Sequence, residues 1–422
     1  EYGRSLKPDL LLAQWNHKYD FRPHDERCLL PQELWARGED YIWYSQGPSK
    51  AISSLSQGYL ADMGLPSRFM YAAGGGRPFV INKYDYKRWR IWSAEAMAHH
   101  GTALALGAEA KGVTLAFEAA VAGGIPIVKA LREGLAANRL SRVYGILNGT
   151  CNYILSEMEQ TGADFGDMLR AAQEKGFAEA DPTFDVEGVD AAHKLAILAA
   201  IGFGARVDFD AVATTGIGEV QASDIKQANV LGYVIRLVGI ASLDESDDEA
   251  RLLQRVRPCL VPRGHPLAAV TGPTNAVVAE GNFSGRLLFQ GAGAGAGPTA
   301  SAVVADLIDI ARGDSGAPFS VPVEELEPFA PADPGNRVGR DYIRFTVTDR
   351  PGVLAEITAA MRDAEVSIES LIQRGRDDEG GEVLVAMVTH EGPERCVTKA
   401  LELLEGSPSL TAPPLVMPIL GA

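Results

Sequence analysis

The sequence predicts an α/β protein of several domains that ends in a small module of ferredoxin-like order. Three observations carry this. At 422 residues the chain exceeds what one hydrophobic core supports, so roughly two to four domains are expected. Beyond residue 93, helical periodicities alternate with short strand-like runs. Residues 342–422 carry the element order β-α-β-β-α-β.

The elements follow in order, and the first segment stands apart. All five tryptophans and eight of the twelve tyrosines precede residue 93. Residues 1–92 hold 13 Lys/Arg against 10 Asp/Glu, a charge of +3, which leaves −19 of the total −16 for the remainder. The only glycine cluster there, Gly74 to Gly76, meets Pro78 where a helix would start, so it reads as a loop and not as a phosphate cradle. From there the spacing predicts a helix over Ala96–Lys111, a short strand over Val113–Phe117 and a helix over Pro126–Leu135. A further helix spans Asp164–Lys175, stopped by Gly176. The longest runs from Val186 to Phe203, with Val189, Ala192, Leu195, Ala196 and Ala199 on one face. Tandem glycines and Pro298 mark a loop over 291–298, before an apolar helix from Ala300 to Ala311. Residues 313–341, rich in Pro, Asp and Gly, read as a linker.

The final module is the clearest. Ile343, Phe345 and Val347 alternate with Arg344, Thr346 and Thr348, the pattern of a half-buried strand. Asp349-Arg-Pro-Gly352 turns into a helix carrying Val353, Leu354, Ile357 and Met361. Strands over Val366–Ile372 and Val383–Val388, a helix over Pro393–Leu404 and a strand near Val416 complete the order.

Composition excludes several classes. A net charge of −16 argues against nucleic acid or an anionic membrane as partner. No run approaches the ~18 apolar residues of a membrane span and no signal-peptide pattern opens the chain, so a cytoplasmic location is expected. Cys28, Cys151, Cys259 and Cys396 have no paired spacing, so reduced, mostly buried thiols are expected.

One segment concentrates chemistry. Glu179, Asp181, Asp185, Glu187 and Asp190 place five carboxylates within twelve residues, followed by Lys194. Asp190 and Lys194 are four apart and share a helical face. On a solvated surface that pair would contribute only ~0.3–0.5 kcal/mol. The Ala, Val and Leu around it point instead to a partly buried helix.

Residues 97–312 resemble homoserine dehydrogenases. The segments that carry the likeness are His99-His100-Gly101, Phe117 to Pro126, Ile146-Leu-Asn148-Gly149-Thr150-Cys151-Asn-Tyr-Ile154, the acidic stretch to Lys194, and Gly291 to Ala300. Asp349-Arg-Pro-Gly-Val-Leu, followed by Val366-Ser-Ile368, resembles an ACT domain, an amino-acid-binding module.

The resemblance implies a Rossmann-type cofactor domain over 1–128, a substrate and dimerisation domain over 129–312, a linker over 313–341 and an ACT domain over 342–422. It implies interconversion of L-homoserine and L-aspartate 4-semialdehyde with NAD or NADP, on the route to threonine and methionine. Lys194 would be the proton donor, oriented by Asp190. Glu179, Asp185, Asp190, Gly149 and Thr150 would bind substrate, and Gly293, Gly295 and Asn148 the cofactor. Glu118 and the carbonyls of Val121, Gly123 and Ile125 would surround a sodium ion. An amino-acid effector, threonine by analogy, would bind at Asp349, Gly352 and Val353, unless Asp349 simply caps the helix. A homodimer or homotetramer is expected.

Residues 1–92 do not match the family. They lack its glycine fingerprint, and the Asn-Lys pair expected just before His99 is replaced by Trp92-Ser-Ala-Glu-Ala. An ordinary Rossmann domain there would show a parallel sheet covered by helices on both faces. Two other functions stay open: an amino-acid sensor that has lost cofactor binding, and a thioester-forming dehydrogenase using Cys151.

Overall fold

The computed structural model describes residues 12–14, 41–43, 79–80, 94–245, 249–314, 316–374 and 381–421. The fold expectation for 1–92 therefore lies almost wholly outside the described residues. What is described there is parallel pairing. Strand β1 (Leu12–Gln14) pairs with β2 (Tyr41–Trp43), and β3 (Phe79–Val80) pairs with β4 (Leu115–Ala116). Parallel neighbours are the pairing that a βαβ sheet uses.

Helix α1 (Ala94–Lys111) precedes β4, and α2 (Ile127–Lys129) runs into one π-helical turn, Ala130–Gly134. Then come β5 (Leu140–Ile146), α3 (Gly149–Thr161), α4 (Phe165–Glu174), α5 (Thr183–Val186) and α6 (Val189–Phe203). The expected single helix over 186–203 is interrupted. Gly188 sits at φ +81°, a left-handed conformation that ends one helix and caps the next.

The centre of the molecule is a seven-stranded sheet built from β5, the short β6 (Ala213–Thr214), β7 (Tyr233–Asp244), β8 (Arg251–Pro262), β9 (Thr274–Gly281), β10 (Gly285–Ala292) and β11 (Ala330–Pro331). Helix α7 (Ala222–Val230) leads into β7. Sequence reading named none of these long strands. Val234 to Leu237 is continuously buried because both faces of the sheet are covered, so the alternation that betrays a strand is lost. Helix α6 lies between this sheet and α1, which is why every residue from Asp190 to Ile201 is buried.

Helix α8 (Ala296–Arg312) begins four residues earlier than expected, directly on the glycine loop. Residues 313–341 were expected to be a linker, yet Phe319, Val323 and Leu326 are buried in the main core. The final module matches its expected order. Strands β13 (Asp341–Thr348), β14 (Ile368–Arg374), β15 (Glu382–Thr389) and β17 (Leu410–Pro418) form one antiparallel sheet in the order β14-β15-β13-β17. Helices α9 (Val353–Asp363) and α10 (Glu394–Leu403) cover it, and β12 (Val338–Gly339) pairs with β16 (Gly392–Pro393). Its core joins Ile343, Phe345 and Val347, which alternation selected, to Ile357 and Met361 of the helix.

Candidate active site

Lys194 and Asp190 face the interior from the first turns of α6. Both residues are almost wholly buried, at 2% and 4% exposure. The Lys194 ammonium donates to Asp190 Oδ2 at 2.5 Å and to the Leu147 carbonyl at 3.0 Å. An ammonium at this depth is tolerated only with a counter-charge and aligned acceptors, and here it has both.

Asn148 organises the rest. Its Nδ2 donates to Asp185 Oδ1 at 2.7 Å and to Asp190 Oδ2 at 2.9 Å, while its Oδ1 accepts from the Cys151 amide at 2.8 Å and so caps α3. The residue expected at the cofactor thus also has a structural task. Its carboxamide is engaged by protein groups on both sides, and its place is that of a brace between two acids and a helix terminus.

Gly149 and Thr150 form the first turn of α3. A Cβ on Gly149 would lie 2.7 Å from the Pro273 carbonyl, so the close approach requires glycine. Thr150 is buried and its hydroxyl donates to the Phe177 carbonyl at 2.8 Å, tying α3 to the start of the acidic segment. Glu179 stands apart: it is exposed, while Asp185 is half-buried beside Asn148. Cys151 is fully buried and its thiol donates to the Asp185 carbonyl at 3.1 Å. Burial and the nearby Asp185 and Asp190 push that thiol well above its ordinary range, so the thiolate needed for a thioester is disfavoured.

The histidines also fall into place. His193 is buried against Phe184, Phe209 and His99, and burial lowers it to about 4, so it is a neutral packing group.

The turn at Glu118 is built differently. The Glu118 carboxylate is buried and accepts from the amides of Val128 and Lys129, each at 2.9 Å. It thereby satisfies orphan donors at the start of α2. The Glu118 amide donates to Asp306 Oδ2 at 3.1 Å. Asp306, on α8, is 3% exposed, and burial together with the Glu118 charge pushes it up to about 7. Gly123 and Gly124 donate to the carbonyls of Gly293 and Ala292, each at 2.9 Å, which locks this turn to the glycine loop. The Ile125 carbonyl accepts from Ile127 at 2.7 Å. The Glu118 side chain thus braces the turn through two backbone amides.

Gly293 is a packing glycine, because a Cβ on it would collide with the Asn275 side chain at 1.9 Å. Gly295 is exposed at φ +122° and caps α8. Residues 294–297 are exposed at the start of this 17-residue helix, an arrangement whose uncovered amides suit a dinucleotide's anionic groups. In the C-terminal module, Gly352 at φ +98° is the N-cap of α9 and no side chain caps that helix, so Asp349 is not its cap. The Val353 side chain is buried in the module's core.

Sequence reading missed two contributors, the bracing role of Asn148 and the buried acid Asp306. A signal for Asp306 existed: an acid among Val303, Val304, Leu307 and Ile308 on an apolar helix. Among the described residues no helix is long and apolar enough to cross a membrane.

Comparison with known proteins gives the family. The homoserine dehydrogenase family profile matches residues 126–308, and the ACT domain profile matches residues 342–405. The chain is 44% identical over 323 residues to a homoserine dehydrogenase of Pseudomonas aeruginosa, covering 75% of this chain and 74% of that protein. It is 40% identical over 366 residues to the one from Synechocystis, covering 85% and 84%. Among solved structures, a homoserine dehydrogenase from Thiobacillus denitrificans is similar with a TM-score of 0.76 and 36% identity, over 93% of this chain and 85% of that one.

Proposed function

The chain belongs to the homoserine dehydrogenase family, as an NAD(P)-dependent oxidoreductase with a C-terminal ACT domain, and from that premise we propose roles for the residues of the buried cluster. The observation that carries the reading is the network Lys194–Asp190–Asn148–Asp185, which holds a buried ammonium at a fixed point. The nicotinamide cofactor supplies or accepts the hydride. Lys194 stabilises the alkoxide that develops on the semialdehyde oxygen and gives it a proton; in the oxidative direction it takes that proton back. Asp190 keeps Lys194 charged and oriented. Asp185 and Asp190 hold the substrate hydroxyl side. Glu179, exposed at the rim, meets the substrate's α-ammonium. Gly149 and Thr150 offer α3 amides, and Gly293 and Gly295 bring backbone towards the nicotinamide half.

An amino-acid sensor without turnover has no need to bury a lysine with two braced acids, and the protonated thiol of Cys151 weighs against a thioester route. Three finer assignments belong to the same reading. A sodium ion at the 118–125 turn would be held by Glu118 and the carbonyls of Val121, Gly123 and Ile125. L-Threonine would bind at Asp349 and the amides of Gly352 and Val353, with its carboxylate at the α9 terminus. The protein would assemble as a homodimer or homotetramer.

The test is oxidation of L-homoserine by the purified chain with NADP+ or NAD+, followed by cofactor absorbance. Turnover dependent on L-homoserine is expected. No turnover with either cofactor, together with unchanged melting on adding them, would favour the sensor.

A further inference from the structure

The ACT module does more than sit beside the catalytic domain, for it grips one residue of it. Asp224 is completely buried at the N-terminus of α7. From β13, Tyr342 donates to Asp224 Oδ1 at 2.9 Å, and Arg344 forms an ion pair with Oδ2. Tyr342 and Arg344 are themselves buried, at 1% and 4% exposure. Asp224 Oδ2 also accepts from the Gln221 amide at 2.9 Å, and Arg344 reaches the Glu219 carbonyl at 3.3 Å. One carboxylate thus joins β13 to the end of the 215–221 loop.

The other end of that loop lies against the acidic segment. Ile217 donates to the Val186 carbonyl at 2.9 Å, and Thr215 donates to Val256 of the central sheet at 2.7 Å. A Cβ on Gly216 would stand 2.3 Å from the Val186 carbonyl and 2.6 Å from Glu187 Cα, so loop and turn are in backbone contact. Gly188 closes the same turn, and a Cβ there would meet the Thr214 side chain at 3.2 Å. Val186, Glu187 and Gly188 are the link between Asp185 on α5 and Asp190 on α6.

We propose that Asp224, clamped by Tyr342 and Arg344, is a positioning residue for the substrate: it presses the 215–221 loop onto the Val186–Gly188 turn and so fixes the separation of Asp185 and Asp190. This rests on the reading of those two acids as substrate-binding. Strand β13 ends at Thr348, beside Asp349, so an amino acid bound there would act on the strand that holds Asp224. Tight packing along this route makes the turn a single unit that shifts as a whole.

The experiment measures KM for L-homoserine, KM for the cofactor, kcat and melting temperature of the full chain carrying Asp224→Asn or Tyr342→Phe, with Asp185→Asn as control. Asp224→Asn is expected to raise the homoserine KM roughly tenfold and Tyr342→Phe by a smaller factor, with the cofactor KM within about twofold of wild type. Tyr342→Phe removes one hydroxyl, so it answers the question even where Asp224→Asn folds poorly. Homoserine KM unchanged in both variants overturns the proposal, as does a parallel rise in both KM values, which marks general loosening. If Asp185→Asn also leaves the homoserine KM unchanged, the substrate-site reading falls and takes the proposal with it. If Asp185→Asn raises it and the other two do not, only the proposal falls.

Discussion

Two of the molecule's buried carboxylate clusters are built in opposite ways. At the base of α6, Asp190 faces a full positive charge from Lys194 and a carboxamide from Asn148. At the 118–125 turn, Glu118 accepts hydrogen bonds from backbone amides, with the Arg132 and Lys129 charges acting from further off, and Asp306 lies behind it within reach of its charge. A carboxylate matched by an ammonium keeps that ammonium charged and aimed, which a proton transfer requires. A carboxylate satisfied by amides anchors a turn, and its buried neighbour stays protonated up to near-neutral pH. On the proposed reading the first arrangement serves chemistry and the second serves shape.

Asp190→Asn breaks the contrast most severely. It leaves the Lys194 ammonium buried without its counter-charge, which costs about 3–5 kcal/mol and depresses turnover as well. Thermal unfolding together with homoserine oxidation measures both. A variant as stable and active as wild type would show that the two clusters are not different in kind. Asn148→Ala comes next. It removes the α3 cap and both donors to the acids, for an expected loss of about 1–3 kcal/mol in denaturant unfolding.

Asp306→Asn sharpens the comparison through pH. In the folded protein Asp306 is raised to about 7, against an ordinary value of 3.8. Between those values the folded state holds a proton that the unfolded state has released. The stability this contributes is complete below pH 3.8 and is lost as pH rises through about 7. Stability of wild type minus Asp306→Asn should therefore fall across that window, by at most about 1.4 kcal/mol per pH unit. His193 slopes the other way. Lowered from 6.5 to about 4, it costs stability as pH falls through that interval, because the unfolded chain takes up the proton first. Subtracting the Asp306→Asn curve cancels this contribution. A flat difference curve would mean that Asp306 is ionised throughout. The smallest effect is expected from alkylation of Cys151: the native protein should react slowly and keep its activity until it does.

How much could be read beforehand differs between the regions for physical reasons. The element order of the ACT module was legible, because the second half of β13 alternates buried Phe345 and Val347 with half-buried Thr346 and Thr348. Tyr342 and Arg344, expected on an open face, are instead buried against Asp224. The central sheet was not, because β7 is covered on both faces and carries no period. The pair Asp190 and Lys194 showed itself by a spacing of four. Asn148 could not, since its partners Asp185 and Asp190 lie 37 and 42 residues away and only the folded chain brings them together. The break at Gly188 depended on a left-handed φ that a run of helix-forming neighbours conceals. The Glu118 turn was found through family likeness alone, and its carboxylate then proved to serve two amides.

The central claim is that the Lys194 nitrogen is the proton carrier. Steady-state oxidation of L-homoserine by Lys194→Ala, with a melting curve on the same preparation, tests it most directly. Turnover is expected to fall by roughly 10²–10⁴-fold while the homoserine KM moves far less and the protein stays folded. A folded Lys194→Ala protein with near-normal turnover would contradict the account.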